Sequence, residues 1–276
     1  MQAKTWVSGN VVGTAELSMP FLPVQSLAKT QVQAARRLVA HRLQFRIYVE
    51  ALLAASPDDN ANRRVLLGRS GGALSIDFSA ATVRTLIGAL DPTETAEAVT
   101  VDRRAELHIE PDQVEIVQKR YAGRITAIKQ LKLYELSGPI NSSADPRCRQ
   151  LTGVDLPMVA AFYQRFYPTT IFSAWMLENP FYGLFEDGLL RAAGGVTASA
   201  EKVGAANLGN FLTDPDRRGR GFAGVVTSTL IHDLTAAGFD HFALATNEEN
   251  RAAWRCYERI GFRLVERRPQ VDLSAP

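Results

Sequence analysis

Cysteine is nearly absent, since Cys148 and Cys256 are the only two in 276 residues. Their spacing is neither a metal nor a redox pattern, so a disulfide framework is excluded as the source of stability and reduced thiols are expected. An excess of charge of one sign is lacking too: 31 basic residues stand against 29 acidic ones, a net of +2. That removes the electrostatic argument for nucleic acid as a partner. Histidine is scarce, and His41 has no second ligand one helical turn on, so no metal is expected. No run approaches the roughly 20 apolar residues that a membrane span requires. No basic segment followed by an apolar one and a small-residue cleavage site opens the chain, so no membrane partner and a cytoplasmic location are expected.

What is present is an ordinary globular composition, 46% hydrophobic and 22% charged, enough for one large or two small domains with their own cores. Residues 24–55 carry the longest helical pattern. Val32, Ala35, Val39, Leu43 and Ile47 step by three and four, with Arg36, Arg37, Arg42 and Arg46 mostly off that line as a solvated face. Short strands are expected at 65–67 and 73–78, a helix over 79–90, a strand over 105–109, a short helix entered at Pro111, and a strand over 125–136. His108 is expected within its strand, and Glu106, Glu110 and Glu115 on solvated faces. This half has no phosphate loop and no nucleophile beside a plausible base. The Gly, Pro, Ser and Asn content of residues 137–147 reads as a linker, which divides the chain into 1–145 and 146–276.

Beyond it the pattern changes. Helices are expected over 155–167 and 173–178, then three strands at 181–185, 189–197 and 205–213, the first two joined by the hairpin turn Asp187-Gly188. A helix over 222–237 closed by Gly238, a strand over 241–246, a helix over 248–260 closed by Gly261 and a strand over 262–266 complete the reading. The fold class is α/β with a mixed sheet.

Residues 210–223 join an apolar strand to a helix through Asp214-Pro-Asp-Arg-Arg-Gly-Arg-Gly221. Gly219 and Gly221 let the backbone turn tightly and bring several N–H groups to one anion at a helix start, and Arg218 and Arg220 add charge. The nucleotide P-loop template fails, because Phe222 and Ala223 stand where Lys and Ser or Thr are needed. Gly219, Gly221 and Gly224 match the dinucleotide spacing, but that template also needs an acidic residue roughly 20 positions on at a strand's end. Asp240 precedes its strand, so the fit is poor.

Arg218-Gly-Arg-Gly-Phe-Ala223 resembles the pyrophosphate loop of the GNAT superfamily of CoA-dependent N-acyltransferases. Asn250-Arg-Ala-Ala-Trp-Arg-Cys-Tyr257-Glu-Arg-Ile-Gly261-Phe262 resembles its second signature, in the usual order and at the usual distance. The resemblance covers residues 150–268 and implies a GNAT fold there. It implies that Arg218, Gly219, Arg220, Gly221, Phe222 and Ala223 bind the pyrophosphate of acetyl-CoA, the co-substrate. Peptide groups of Phe211, Leu212 and Thr213 pair with the pantetheine arm, and Asn250 helps to hold it. The same resemblance implies that Tyr257 protonates the departing thiolate. Independently of the family, a phenol with an ordinary pKa near 10 keeps its proton at neutral pH and can serve as a general acid. Asn250 and Tyr257, seven positions apart, are expected on one helix face.

Two departures stand out. The strand over 205–213 has no Asp, Glu or His to deprotonate an amine, as many members of that superfamily have, and Thr213 occupies a place where they often carry an apolar residue. Glu249 is expected in a capping box with Thr246, Glu178 is a weaker candidate base, and the base is unassigned. Cys256 is read as packing and Trp254 as a core or interface aromatic. The acceptor is an amine of a small molecule or peptide. Alternatives are a CoA-binding sensor without turnover and transfer of longer acyl groups; a homodimer is also open. The two-part layout resembles bacterial members whose first half is often a divergent copy of the same fold. No internal repeat of the Arg218 or Asn250 motifs is detectable, so duplication requires a matching central sheet over residues 60–136.

Overall fold

The computed structural model describes residues 21–55, 63–68, 70–78, 83–88, 101, 103–138, 140, 144–168 and 172–276. In the first half the elements are β1 (Phe21–Pro23), α1 (Lys29–Leu38), α2 (Leu43–Ala54), β2 (Arg63–Gly68), β3 (Ala73–Phe78), β4 (Val83–Gly88), β5 (Ala105–His108), α3 (Val114–Tyr121) and β6 (Ile125–Ser137). The second half follows with β7 (Cys148–Leu151), α4 (Leu156–Phe166), β8 (Phe181–Glu186), β9 (Leu189–Ala200), β10 (Ala205–Thr213), α5 (Phe222–Ala236), β11 (His241–Asn247), α6 (Arg251–Ile260) and β12 (Arg263–Leu273).

All of these strands join one sheet in the order β1-β2-β3-β4-β5-β12-β6-β11-β10-β9-β8-β7. Adding six to each number in the first half and subtracting six in the second returns the same order read backwards. The chain therefore repeats one topology about a pseudo-twofold axis between β6 and β12. In each half two strands run parallel, β4 with β5 and β10 with β11. The central sheet that duplication required is present, but the last strand of each half is exchanged. β6 lies between β11 and β12, and β12 lies between β5 and β6, all antiparallel. The long shared register, Arg263 with Glu135 through Leu273 with Ile125, fuses the halves into one sheet.

The helical pattern over 24–55 is broken, which corrects the single helix read from periodicity. Arg42 departs from helical geometry at φ −127° and ψ 83° and reaches Glu110, with Nη1 2.5 Å from Oε1. The N–H of Leu43, first residue of α2, then donates to Glu135 Oε1 of β6 at 3.0 Å, satisfying one of the new helix's free donors. Arg36 Nε and Glu50 Oε1, 2.7 Å apart, tie α1 to α2. α2 buries Phe45, Ile47, Tyr48, Val49 and Leu52. It packs on Ala198, Ala200, Ala205 and Ala243 of the second half, where small side chains let a helix come close.

The helix expected over 79–90 is also corrected. Val83–Gly88 is a strand, whereas 79–82 and 89–90 lie outside the described residues. Its consecutive buried residues Thr85, Leu86 and Ile87 are those of a strand covered on both faces. Arg84 crosses to the buried Asp77 of β3, Nε to Oδ1 2.9 Å. The last strand runs to Leu273 rather than 266 because it continues past its own half to pair with β5.

Glu110 is not on a solvated face. It accepts from Arg42 and from the N–H of Gly88 at 3.2 Å, and Nη2 of Arg268 lies 3.7 Å away. Arg268 is fully buried between the halves, over the Phe45 ring at 4.9 Å, beside Glu266 at 3.5 Å and donating to the carbonyl of Leu86. His108 lies in β5 as expected, with Nε2 2.6 Å from Glu106 Oε1.

Candidate active site

The site starts where two parallel strands part. β10 and β11 pair only at Ala205–Asn207 with His241–Ala243. Beyond that row β10 continues with β9 alone, through Leu212 opposite Ala193 and Thr213 opposite Ala192, while β11 continues with β6 alone. Among the described residues no strand lies between β10 and β11 past that row, the place where an inserted chain would pair as an added strand. The parting has a local cause. The register of β10 shifts between Gly209 and Leu212, and Asn210 adopts φ 56°, a β-bulge that bends the strand. Tyr163 of α4, fully packed and stacked on Phe172, donates its hydroxyl to the Asn210 carbonyl and pins the bulge.

At the end of β10 the chain enters a one-turn 3-10 helix, Pro215–Arg217, capped by Asp214, whose Oδ1 accepts from the N–H of Asp216 at 3.0 Å. Burial acts to raise the Asp214 pKa, but the Asp216 N–H and Arg191, 2.8 Å away, hold it below the usual range. Arg217 is tied to Glu186 of the first hairpin, Nε to Oε2 2.8 Å, and Arg220 lies 3.8 Å from the same carboxylate. The Arg218 guanidinium is exposed and has no ion-pair partner among the described residues.

Gly219 and Gly221 take φ 78° and 79°, a backbone that disfavours any side chain, and a Cβ at either would project into open space. α5 begins at Phe222 with Gly221 as an N-cap that has no side chain, so no cap side chain takes the first-turn N–H groups of the helix. Phe222, Val226, Leu230, Ile231 and Leu234 anchor the helix on the sheet.

α6 carries the second signature. It begins at Arg251 rather than 248, so the expected Thr246–Glu249 capping box does not form; Thr246 is buried in β11. Asn250 is the N-cap, its Oδ1 accepting from Ala253 N–H at 3.3 Å, and the preceding Glu249 N–H is taken by Asn247 Oδ1 at 2.9 Å. Asn250 is thus exposed at the helix entrance, with its side-chain oxygen taken by the first turn of α6. Two strong acceptors, Asn247 and Asn250, outcompete Thr246 for the helix start.

Tyr257 lies at the parting. It is 6% exposed, with ring centroids 6.1 Å from Phe211 of β10, 6.1 Å from Phe262 and 6.5 Å from Tyr134. Its hydroxyl has no hydrogen-bond partner among the described residues. Burial pushes its pKa well above that of a free phenol, so it stays protonated throughout the neutral and alkaline range. Phe211 in turn depends on Gly194 of β9, where a Cβ would stand 2.1 Å from the Phe211 ring. Cys256 packs where α6 crosses Gly224 of α5, and burial raises its thiol pKa. Glu178 is exposed at the end of a 3-10 segment, Ala174–Glu178, before β8.

The structure places Phe211 beside Tyr257, with Leu212 and Thr213 next on the same strand and the turn over 218–223 leading from it into α5, while Asn250 lies exposed at the start of α6. Tyr134, Gly194 and Tyr163 also shape the site and escaped the sequence reading. Tyr134 lay in a strand assigned to the other half, and a glycine inside a strand was the one available signal of close approach. The first half has a matching parting: β4 and β5 pair only as far as Thr85 and His108, and a cavity of about 540 Å³ lined by Arg37, Arg42, Ile87, Gly88 and Glu110 lies at the end of β4. Three residues past the last shared pair its backbone also turns left-handed, at Gly88 with φ 87°, but there the Leu86 carbonyl is taken by Arg268. No group of His, Cys, Asp and Glu that could hold a metal occurs among the described residues, nor does any helix long and apolar enough to cross a membrane.

The fold is of the GNAT type. Residues 181–271 match the family described as FR47-like protein. Among solved structures, a putative GNAT-family acetyltransferase from Novosphingobium aromaticivorans is similar at 22% identity and a TM-score of 0.56, over 74% of this chain and 89% of that one. A Drosophila protein is similar at 15% identity and a TM-score of 0.66, over 93% of this chain and 99% of that one. A tandem GNAT protein from the clavulanic acid biosynthesis pathway aligns at 14% identity and a TM-score of 0.51, over 93% and 98%. No curated protein sequence is significantly similar to the chain. The expected resemblance thus holds at the level of fold: the sheet is that of the GNAT superfamily, and the second half carries its FR47-like region.

Proposed function

We propose that the chain is an acyl-CoA-dependent N-acyltransferase that transfers acetyl from acetyl-CoA to a primary amine. The observation that carries this reading is the parting of β10 and β11 in front of a two-glycine basic turn, with the buried Tyr257 at its wall. The turn and the start of α5 offer N–H donors and the unpaired Arg218 to a pyrophosphate. The stretch Phe211–Thr213 offers peptide groups to the pantetheine arm.

In this reading the amine nitrogen attacks the thioester carbonyl carbon, giving a tetrahedral adduct whose oxyanion needs backbone donors. The adduct collapses with cleavage of the C–S bond. The thiolate takes the Tyr257 proton and the amide forms without a covalent enzyme intermediate. The proton lost by the amine goes to solvent or to a base that no residue of β10 supplies. The reading places the reaction in the cytoplasm, on a small-molecule or peptide amine.

Calorimetric titration with acetyl-CoA of the wild type and Gly221→Glu tests the site. The substitution adds a negative charge to the turn, and a loss of affinity of at least about tenfold, ~1.4 kcal/mol, is expected. Absence of binding by the folded wild type refutes the reading. The missing β10 carboxylate favours a second reading, a CoA-binding protein without turnover. Release of free thiol from acetyl-CoA in the presence of a panel of primary amines separates the two.

A further inference from the structure

β6 belongs to the first half in sequence, yet it runs between β11 and β12 beneath α6. Two of its side chains meet that helix. Tyr134 has no exposed surface, meets Tyr257 edge to face with an interplanar angle of 61°, and donates its hydroxyl to Glu258 Oε1 at 3.0 Å. Lys132, also buried, places its ammonium 4.1 Å from the Trp254 ring centroid and 3.9 Å from Glu248. Trp254, Tyr257 and Glu258 stand at i, i+3 and i+4 and so share one face of α6. The rotation of α6 about its axis is therefore fixed by a strand from the opposite half. The ring of Tyr257 is held between Phe211 on one side and Tyr134 on another.

We propose that Tyr134 is a positioning residue for Tyr257, so that the acyl-transfer site is assembled from both halves of the chain. This rests on Tyr257 being the proton donor of the reaction proposed above. Tyr134 acts through Tyr257 in this proposal: it fixes where the Tyr257 hydroxyl points. Two contacts do this, the ring edge and the hydrogen bond to the neighbouring carboxylate. A proton donor displaced by about 1 Å loses on the order of 10²-fold in rate, so small freedoms at Tyr257 are costly.

The test compares Tyr134→Phe, which keeps the ring and removes the hydrogen bond, with Tyr134→Leu, which removes both, and with Tyr257→Phe. Acetyl-CoA affinity by calorimetry is expected to stay within about twofold in all three. A fall in kcat of roughly fivefold to tenfold is expected for Tyr134→Phe and a larger one for Tyr134→Leu, with KM for the amine little changed. If Tyr257→Phe loses turnover while both Tyr134 variants keep the wild-type kcat, Tyr134 is core packing only and the proposal is overturned. If Tyr257→Phe keeps full kcat, the acid assignment itself fails. A second readout needs no acceptor. In protein labelled with 3-fluorotyrosine, seven tyrosines give fluorine resonances, and the one lost in Tyr257→Phe is assigned. That resonance is expected to shift and broaden in Tyr134→Leu, as the ring samples several orientations. An unchanged, sharp Tyr257 resonance overturns the proposal whatever the turnover.

Discussion

Replacing Glu110 by Gln isolates the charge network that joins the two halves. The carboxylate accepts from Arg42 and the Gly88 N–H, and it lies 3.7 Å from Arg268, whose side chain has no exposed surface. Neutralising it leaves Arg268 buried with Glu266 at 3.5 Å as the remaining counter-charge. Breaking a buried pair by removing one partner costs about 3–5 kcal/mol. Because Glu266 and the Leu86 carbonyl stay with Arg268, the low end applies, about 3 kcal/mol. With a urea slope of about 3 kcal/mol/M, the unfolding midpoint at pH 7 should fall by about 1 M. The effect has a defined pH dependence. Burial acts to raise the Glu110 pKa, but Arg42, Arg268 and the Gly88 N–H outweigh it and the folded-state value is depressed. A depressed carboxylate contributes fully above its unfolded pKa, about 4.3. That contribution is lost as pH falls through the lower folded value. The gap between wild type and Glu110→Gln should therefore be constant from pH 7 to about 5.5 and close on further acidification. Urea titrations followed by far-UV circular dichroism at several pH values measure it. An equal midpoint at pH 7, or a gap that persists unchanged at acid pH, refutes the account of Arg268 as a cation held by Glu110.

Tyr257→Phe should lower kcat by about 10²-fold with acetyl-CoA affinity unchanged, as thiol release and calorimetry would measure. Since burial keeps the phenol protonated, no alkaline loss of kcat up to pH 10 should come from this group. Gly194→Ala puts a methyl group 2.1 Å from the Phe211 ring, so it should cost about 1–3 kcal/mol of stability in urea titrations. It should also weaken acetyl-CoA binding by moving the wall beside Tyr257. Residues 146–276 expressed alone lack β6, which separates β11 from β12. They should give no cooperative unfolding transition, and a cooperative, well-dispersed isolated half would contradict the exchanged topology.

The second half was legible because its information is local. The Asp187-Gly188 hairpin, the glycines that close α5 and α6, and the turn over 218–221 each encode their own geometry over a few residues. The start of α6 was misplaced by three residues because Asn247, Asn250 and the Thr246–Glu249 pair all satisfy capping rules, and tertiary burial of Thr246 decided among them. In the first half, local patterns misled. A continuous stripe from Val32 to Ile47 suits one helix, but Glu135, 92 positions from Leu43, caps a second. Val83–Gly88 reads as helix until it is covered on both faces by elements distant in sequence. The exchange of β6 and β12 left no mark in composition or periodicity, because a strand looks alike whichever neighbour it takes. Tyr134 was hidden for the same reason: its role follows from its partners across the sheet.

The exchange also sets an order of events in synthesis. β12 completes the sheet of the half made first, so the N-terminal half cannot close while its last neighbour is still being translated. Until then β5 and β6 each present an edge without its native partner, and Arg268 has yet to reach Glu110. The nascent chain thus carries half-finished strand edges until β12 emerges. Loss of β12 should expose β5 and β6 of the first half as well as the strand's own place in the sheet, which makes a truncation that removes it an aggregation hazard out of proportion to its length.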